Sequence, residues 1–412
     1  MNKINSIRGM HDLMGSVFLA KKKIINVFET LTNNFNFEPI STPILEFSEV
    51  FQKSLGNSSD VVTKEMYTFN DRNDESLTLR PEGTAGIARA VISNGLTQNL
   101  PLKFYYYGPM FRYERPQKGR LRQFHQLGIE SYSTISLERD FEVIMLAEKF
   151  LKKLKILDSL VLQINNLGDD ASRKKYKKIL EDYYNQNKSV LSEDSLIRLK
   201  KNPLRILDSK NLADIEVNKN APIINEYLSI DCKNQFNNLK TMLQDFNINY
   251  KENPLLVRGL DYYSNNIFEF TAKNDSKFAI LAGGSYDKLV SQLGGPHLPG
   301  IGWAAGIERL IGYMKPENKN KNKVIILPLE ENFLSNAFKI RETLTSVDLV
   351  NEVYKSKSLK KAMKYANKVK ASFAIIIGEE EMKKSSCTIR NLQNGEQVLI
   401  DQNKILEILK ND

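Results

Sequence analysis

Between residues 16 and 33 the apolar positions Val17, Ile24, Ile25, Phe28 and Leu31 recur at helical spacing, and Glu38-Pro39 then opens an extended stretch. Leu102 to Glu114 and Arg122 to Tyr132 are rich in Phe, Tyr and Ile and read as two strands joined by a long charged hairpin loop. From about 170 to 246 the character changes to Lys-rich, helix-favouring sequence, as in Arg173 to Asn185 and Asn234 to Phe246, which predicts an inserted helical module. Strand character returns over Leu255 to Thr271 and Phe278 to Gly283, and Gly300 to Met314 reads as strand, tight turn and helix. Lys315 to Lys323 has the composition of a linker. Beyond it Val324 to Leu329 and Phe373 to Gly378 are buried-strand runs, Asn332 to Thr345 and Leu359 to Lys370 are helical, and Asn394-Gly395 supplies a hairpin turn. The expected organisation is α+β: a core over 1–320 on an antiparallel sheet, interrupted by the helical insertion, then an α/β domain over 321–412.

One strand carries an unusual alternation. Side chains two apart share a face, so Leu127 and Ile129 point into apolar packing while Gln126, Gly128 and Glu130 point the other way. An amide and a carboxylate flanking a glycine read either as an exposed sheet face or as the floor of a polar pocket with room above the glycine. The preceding loop collects Arg115, Lys118, Arg120 and Arg122 between Arg112, Glu114 and the strand. Such a loop suits phosphate, for which arginine offers a planar fork and lysine a point charge, or it is a solvated hairpin tip.

Composition adds modest constraints. Hydrophobic residues are 41% and charged residues 26%, the profile of a folded chain of 412 residues with more than one core. The formal net charge of +10 favours a polyanionic partner or reflects lysines on solvated faces. Cys232 and Cys387 lack the spacing of a zinc site, a phosphate-binding Gly-x-x-x-x-Gly-Lys loop is missing, and three histidines cannot build a histidine-rich metal centre. A polar start and the lack of long apolar runs predict a cytoplasmic protein without a membrane partner.

The stretch from Phe111 to Glu130 resembles motif 2 of class II aminoacyl-tRNA synthetases in the form found in histidyl-tRNA synthetases. Thr42-Pro43 with Ile44 to Thr68 is similar to motif 1, and Leu79-Arg80-Pro81-Glu82-Gly83-Thr84 to the substrate loop. Val257-Arg258-Gly259-Leu260-Asp261-Tyr262-Tyr263 resembles the histidine-specific signature, and Gly302 to Leu310 resembles motif 3. Asn202 to Lys210 of the insertion is also similar to the family. The matches run in order along the chain.

The resemblance implies an enzyme that activates L-histidine with ATP and Mg²⁺ and transfers it to tRNA(His), releasing AMP and diphosphate, as a homodimer joined through motif 1. It implies catalytic roles at the α-phosphate for Arg112 and Arg258, with Arg112, Glu114 and Arg309 binding ATP. Glu82 and Thr84 would hold the substrate ammonium, Glu130 and Tyr263 the imidazole, with Gln126, Tyr262 and Tyr286 completing the histidine pocket. Arg115, Lys118, Arg120 and Arg122 would meet the tRNA acceptor end. The final domain resembles an anticodon-binding domain, with Lys360, Lys364 and Lys368 forming one basic stripe. One departure stands out: in Ala282-Gly283-Gly284-Ser285-Tyr286-Asp287, Ser285 occupies a position where the family usually has Arg, so any charge supplied there has to come from elsewhere.

Overall fold

The computed structural model describes residues 4–56, 59–117, 119–315, 323–347 and 349–411; Lys118 and most of the expected linker lie outside them. The chain divides into two compact units, Met1–Lys315 and Pro316–Asp412.

The first unit is built on β1 (Glu38–Pro39), β5 (Leu102–Phe111), β6 (Gln123–Tyr132), β7 (Leu160–Asn166), β8 (Tyr250–Glu252), β9 (Ser264–Ala272), β10 (Asp275–Tyr286) and β11 (Gly300–Gly306). They form an eight-stranded sheet in the order β1-β5-β6-β11-β10-β9-β7-β8. The six central strands pair antiparallel, as expected, while the short edge strands β1 and β8 pair parallel to their neighbours. The missing β2 (Leu45–Phe47), β3 (Tyr67–Asn70) and β4 (Ser76–Leu79) make a separate three-stranded sheet in the motif 1 region.

One face of the large sheet packs on helices Gly15–Asn34 and Leu137–Lys153, with Leu127, Ile129, Phe28, Phe150 and Trp303 in the core. Phe28 and Trp303 meet edge-on at 5.7 Å, and Phe150 stacks on Trp303 at 5.8 Å; such pairs add about 0.5–1.5 kcal/mol each beyond burial. The opposite face is left for polar residues.

Two expectations change. The helical run over 170–246 divides between two cores: Tyr176, Leu180, Tyr184, Leu199 and Ile206 pack in a core of their own, whereas Phe236, Leu239 and Leu243 of the last helix, Ile230–Asp245, belong to the main sheet core. The segment read as strand from Leu255 is an irregular loop until β9 begins at Ser264. Leu256 and Val257 satisfy their apolar character against the helical module, so no ladder partner is required.

In the second unit β12 (Val324–Pro328), β13 (Asn351–Val353), β14 (Phe373–Ile377), β15 (Ser386–Asn391) and β16 (Gln397–Asp401) form a sheet in the order β13-β12-β14-β15-β16. The first three are parallel and the last two antiparallel, with separate apolar clusters on the two faces. Helix Leu359–Lys368 buries Ala362 and Ala366 and leaves Lys360, Lys364 and Lys368 exposed.

Candidate active site

The polar face of β6 lies inside the fold: Gln126 and Glu130 are buried, which rules out an exposed sheet face. It floors a cleft of about 310 Å³ whose walls come from the segments around 60–65, 82–84, 112–126, 205–208, 258–263 and 279–309.

At one end the segment 80–84 is pinned from several sides. Arg80 Nη1 donates to the Thr42 carbonyl at 2.8 Å, and the Pro81 carbonyl accepts from Arg112 Nε at 2.9 Å. Glu82, 3% exposed, accepts from the backbone amides of Thr84 at 2.9 Å and Ala85 at 2.8 Å, closing the start of helix Thr84–Ser93. Burial raises its carboxyl above the ordinary value, against the pull of those hydrogen bonds. Gln126 Oε1 accepts from the Gly83 amide at 3.0 Å and from the Tyr106 hydroxyl at 3.3 Å.

The room expected above Gly128 is filled. Tyr106, its partner on β5, lies across it, so that a Cβ there would meet the Tyr106 phenol and the Trp303 carbonyl. Tyr106 was therefore missing from the expected set; its only sequence signal is a tyrosine opposite a glycine, which requires the register to be known.

Glu130 and Tyr286 form a layer beneath the cleft wall, whereas Glu82, Thr84, Gln126, Tyr262 and Tyr263 line it. Thr84 Oγ1 donates to Glu130 Oε1 at 2.6 Å, and the Tyr286 hydroxyl donates to Oε2. Burial pushes the Glu130 carboxyl up to about 8, with the two hydroxyls opposing it. Tyr262 and Tyr263, ring centroids 4.6 Å apart, close this end.

The cleft is also cationic. Arg112, Arg120, Arg258 and Arg309 all line it. Arg112 lies over the Phe124 ring at 5.5 Å, and Arg120 and Arg309 both lie over Phe278, at 5.0 and 5.5 Å. Phe124 and Phe278 are aromatic supports that the motifs alone did not single out. Arg309 donates from Nε to the Gly119 carbonyl and from Nη1 to the Ala279 carbonyl, each at 2.8 Å. Burial, followed by the charge of Arg112, draws Arg309 below its ordinary pKa. Arg258 Nη1 donates to Glu269 Oε2 at 2.6 Å, while its Nε is buried without a hydrogen bond among the described residues. Burial pulls the Arg258 guanidinium down, and Glu269, Tyr263, Asp208 and Tyr262 together more than offset this, leaving it above its ordinary value. Glu114 sits 3.2 Å from Arg120 Nε and 3.9 Å from Arg112 Nη1.

The basic loop divides. Arg120 turns into the cleft, Arg122 lies over Tyr113 at 3.8 Å, and Arg115 is exposed. Ser285 points away from the cleft, its hydroxyl 3.5 Å from Asp140, and Asp140 is paired with Arg139 at 3.2 Å. The group beside Ser285 is thus the Asp140 carboxylate, whose cationic partner Arg139 sits on the same neighbouring helix. His125 and Glu308, 2.8 Å apart, form a further pair at the cleft edge that was not anticipated.

A central antiparallel sheet with parallel edge strands, carrying paired arginines and a buried carboxylate on one face, is the catalytic unit of a class II aminoacyl-tRNA synthetase. The family model described as histidyl-tRNA synthetase matches residues 9–310, and one described as an anticodon binding domain matches 323–412. The histidine–tRNA ligase of Gluconobacter oxydans is 44% identical over 96% of each chain, and that of Rickettsia bellii 42% over 99% of each. The apo histidyl-tRNA synthetase structure from S. aureus superposes with a TM-score of 0.80 at 30% identity, covering 99% of this chain and all of that one. A Bacillus halodurans structure titled as an ATP phosphoribosyltransferase regulatory subunit/histidyl-tRNA synthetase shares the fold, with a TM-score of 0.67 at 20% identity over 89% of this chain and 97% of that one. The chain belongs to the histidyl-tRNA synthetase family.

Proposed function

We propose that the chain ligates L-histidine to tRNA(His) through a histidyl-adenylate. The observation that carries this reading is the lining of the cleft: the guanidinium groups of Arg112, Arg120, Arg258 and Arg309 share it with the buried Glu82 carboxyl and the Tyr262 and Tyr263 phenols. A polyanion relieves the repulsion among the arginines, and a small polar cation suits the carboxylates.

In this reading Glu82 and Thr84 take the histidine ammonium, Tyr263 an imidazole nitrogen, and Gln126 and Tyr262 the adjoining walls, while Glu130, beneath the wall, acts on the other imidazole nitrogen through the Thr84 hydroxyl that it accepts from. Tyr286 holds Glu130 from below. The substrate carboxylate attacks the α-phosphorus of ATP, the bond to the bridging oxygen breaks, and diphosphate leaves. Arg112 and Arg258 neutralise the charge that builds on the α-phosphate oxygens, which is worth most in a preorganised, poorly solvated site. Arg309 binds the terminal phosphates and Glu114 completes the ATP site. A terminal ribose hydroxyl of the tRNA then attacks the carbonyl carbon, and AMP leaves.

Glu65 and Glu114 are cleft carboxylates that fit Mg²⁺ carried in mainly by the triphosphate, where the ion would offset phosphate charge. Arg115, Lys118 and Arg122, with Arg120 at the cleft mouth, are assigned to the acceptor end of the tRNA, and the stripe Lys360, Lys364, Lys368 to phosphates of its anticodon arm. The exposed apolar residues Leu45, Phe47 and Phe69 on the small sheet, with Ile44 just before it, support a homodimer through the motif 1 region. Among the described residues no helix is long and apolar enough to cross a membrane, and the reading places the protein in the cytoplasm.

ATP–pyrophosphate exchange across a panel of amino acids tests the assignment. Exchange should depend on histidine and fall by about 10²–10³ in Arg258→Ala. Folded protein that exchanges with no amino acid, or with one other than histidine, overturns it and points to a member that keeps the fold without this chemistry.

A further inference from the structure

The loop of residues 254–263 carries Arg258, Tyr262 and Tyr263 into the cleft but belongs to no helix or strand, so its conformation is set by what grips it. From the sheet, Asn165 Nδ2 donates to the carbonyls of Pro254 at 3.2 Å and Leu256 at 2.9 Å. The remaining grips come largely from the helical module. Arg173 Nη1 donates to the Tyr263 carbonyl at 2.5 Å, and Asn202 Nδ2 to Asp261 Oδ1 at 3.1 Å. Arg205 Nη1 donates to the Gly259 carbonyl, one residue from Arg258.

Arg205 does more than hold the loop. It is 8% exposed, and its Nη2 lies 3.6 Å from Asp60, which also lies 3.7 Å from Arg198. Asp60 is itself part of the cleft wall. One guanidinium thus joins three segments remote in sequence: the module, the loop bearing Arg258, and the wall around Asp60. Only a rigid fork can meet a carbonyl and a carboxylate together; lysine offers a single ammonium that reaches one of them well.

We propose that Arg205 is a positioning residue. It holds the Gly259 carbonyl and Asp60 at once, fixes the loop that presents Arg258 and Tyr263, and makes the amino-acid end of the cleft depend on how the helical module is seated. This rests on reading that end as the histidine site.

The test combines kinetics with a measurement independent of activity. Arg205→Ala and Arg205→Lys are compared with wild type in histidine-dependent ATP–pyrophosphate exchange and in backbone hydrogen exchange of residues 257–263. Arg205→Ala should lower kcat/KM for histidine about 10–100-fold, as expected for small misplacement of reacting groups, while KM for ATP changes by less than about twofold. Arg205→Lys should recover part of the loss. The loop amides should exchange faster in Arg205→Ala while those of β9 keep their protection. Unchanged loop exchange in a folded variant, or an equal rise in KM for both substrates, overturns the proposal. If Arg205→Ala does not fold, Arg205→Lys and Asp60→Asn carry the same comparison, since each removes one half of the bridge. If wild-type protein shows no histidine-dependent exchange, the histidine reading fails, and the hydrogen-exchange arm still decides whether Arg205 holds the loop.

Discussion

Glu130 is 1% exposed and both its oxygens already accept hydroxyl hydrogens, so its charge state governs what the pocket can bind. Its carboxyl is raised from 4.5 to about 8 by burial. The folded protein therefore keeps a proton that the unfolded chain surrenders across that interval. The stabilising contribution is complete below the unfolded value and is lost as pH rises through the folded one. Glu130→Gln removes the titration while preserving size. Near pH 4.5 the two proteins should be about equally stable; by pH 8 the glutamine form should be more stable by up to roughly 4 kcal/mol, an upper figure for a shift of this size. Melting curves of both proteins from pH 5 to 9 check this. A constant difference across the range would mean that the carboxyl is not held neutral by its surroundings.

Strand pairing decides where such groups can approach each other. On β11, Gly302 faces Glu130 across the pair, and a Cβ there would run into Glu130 Oε2 and the Ile129 carbonyl. Gly306, on the same strand, has nothing nearer than Arg309 Cγ at 3.7 Å. Gly302→Ala should therefore cost about 1–3 kcal/mol and most of the histidine-dependent exchange, while Gly306→Ala should cost less stability. Equal thermal shifts for the two would show that Glu130 yields freely to the methyl group. These contacts mark the limit of what the sequence discloses. The alternation of Leu127 and Ile129 with Gln126 and Glu130 was legible because it follows from backbone geometry alone. That Tyr106 covers Gly128, or that Phe278 supports two arginines, depends on register between strands distant in sequence. The loop at 254–263 was misread as strand because Leu255, Leu256 and Val257 have strand-forming character; their apolar surface is buried by the helical module instead. The motif residues gather in or just beneath one cleft, but the roles of the side chains that hold them, Asn165 and, within the family-like run 202–210, Arg205, emerge only from the folded structure.

Every residue assigned to histidine and ATP lies within Met1–Lys315, whereas the anticodon-binding match lies in 323–412. A fragment of residues 1–315 should keep histidine-dependent ATP–pyrophosphate exchange, and transfer to tRNA should drop by about a hundredfold or more as one of two linked RNA contacts is lost. Undiminished transfer by the fragment would remove the second unit from tRNA binding. The order of strands in the large sheet has a consequence for biosynthesis. β11 is the last of its strands to leave the ribosome, yet it lies between β6 and β10, in the middle of the sheet. Until about residue 306 has emerged, the nascent chain carries two half-sheets with facing unpaired edges, which are surfaces prone to wrong pairing. The second unit, whose strands are contiguous in the chain, is under no such constraint. Synthesis that pauses just before Gly300 should leave a chain sensitive to proteases and dependent on chaperones, and release of the next few residues completes the sheet.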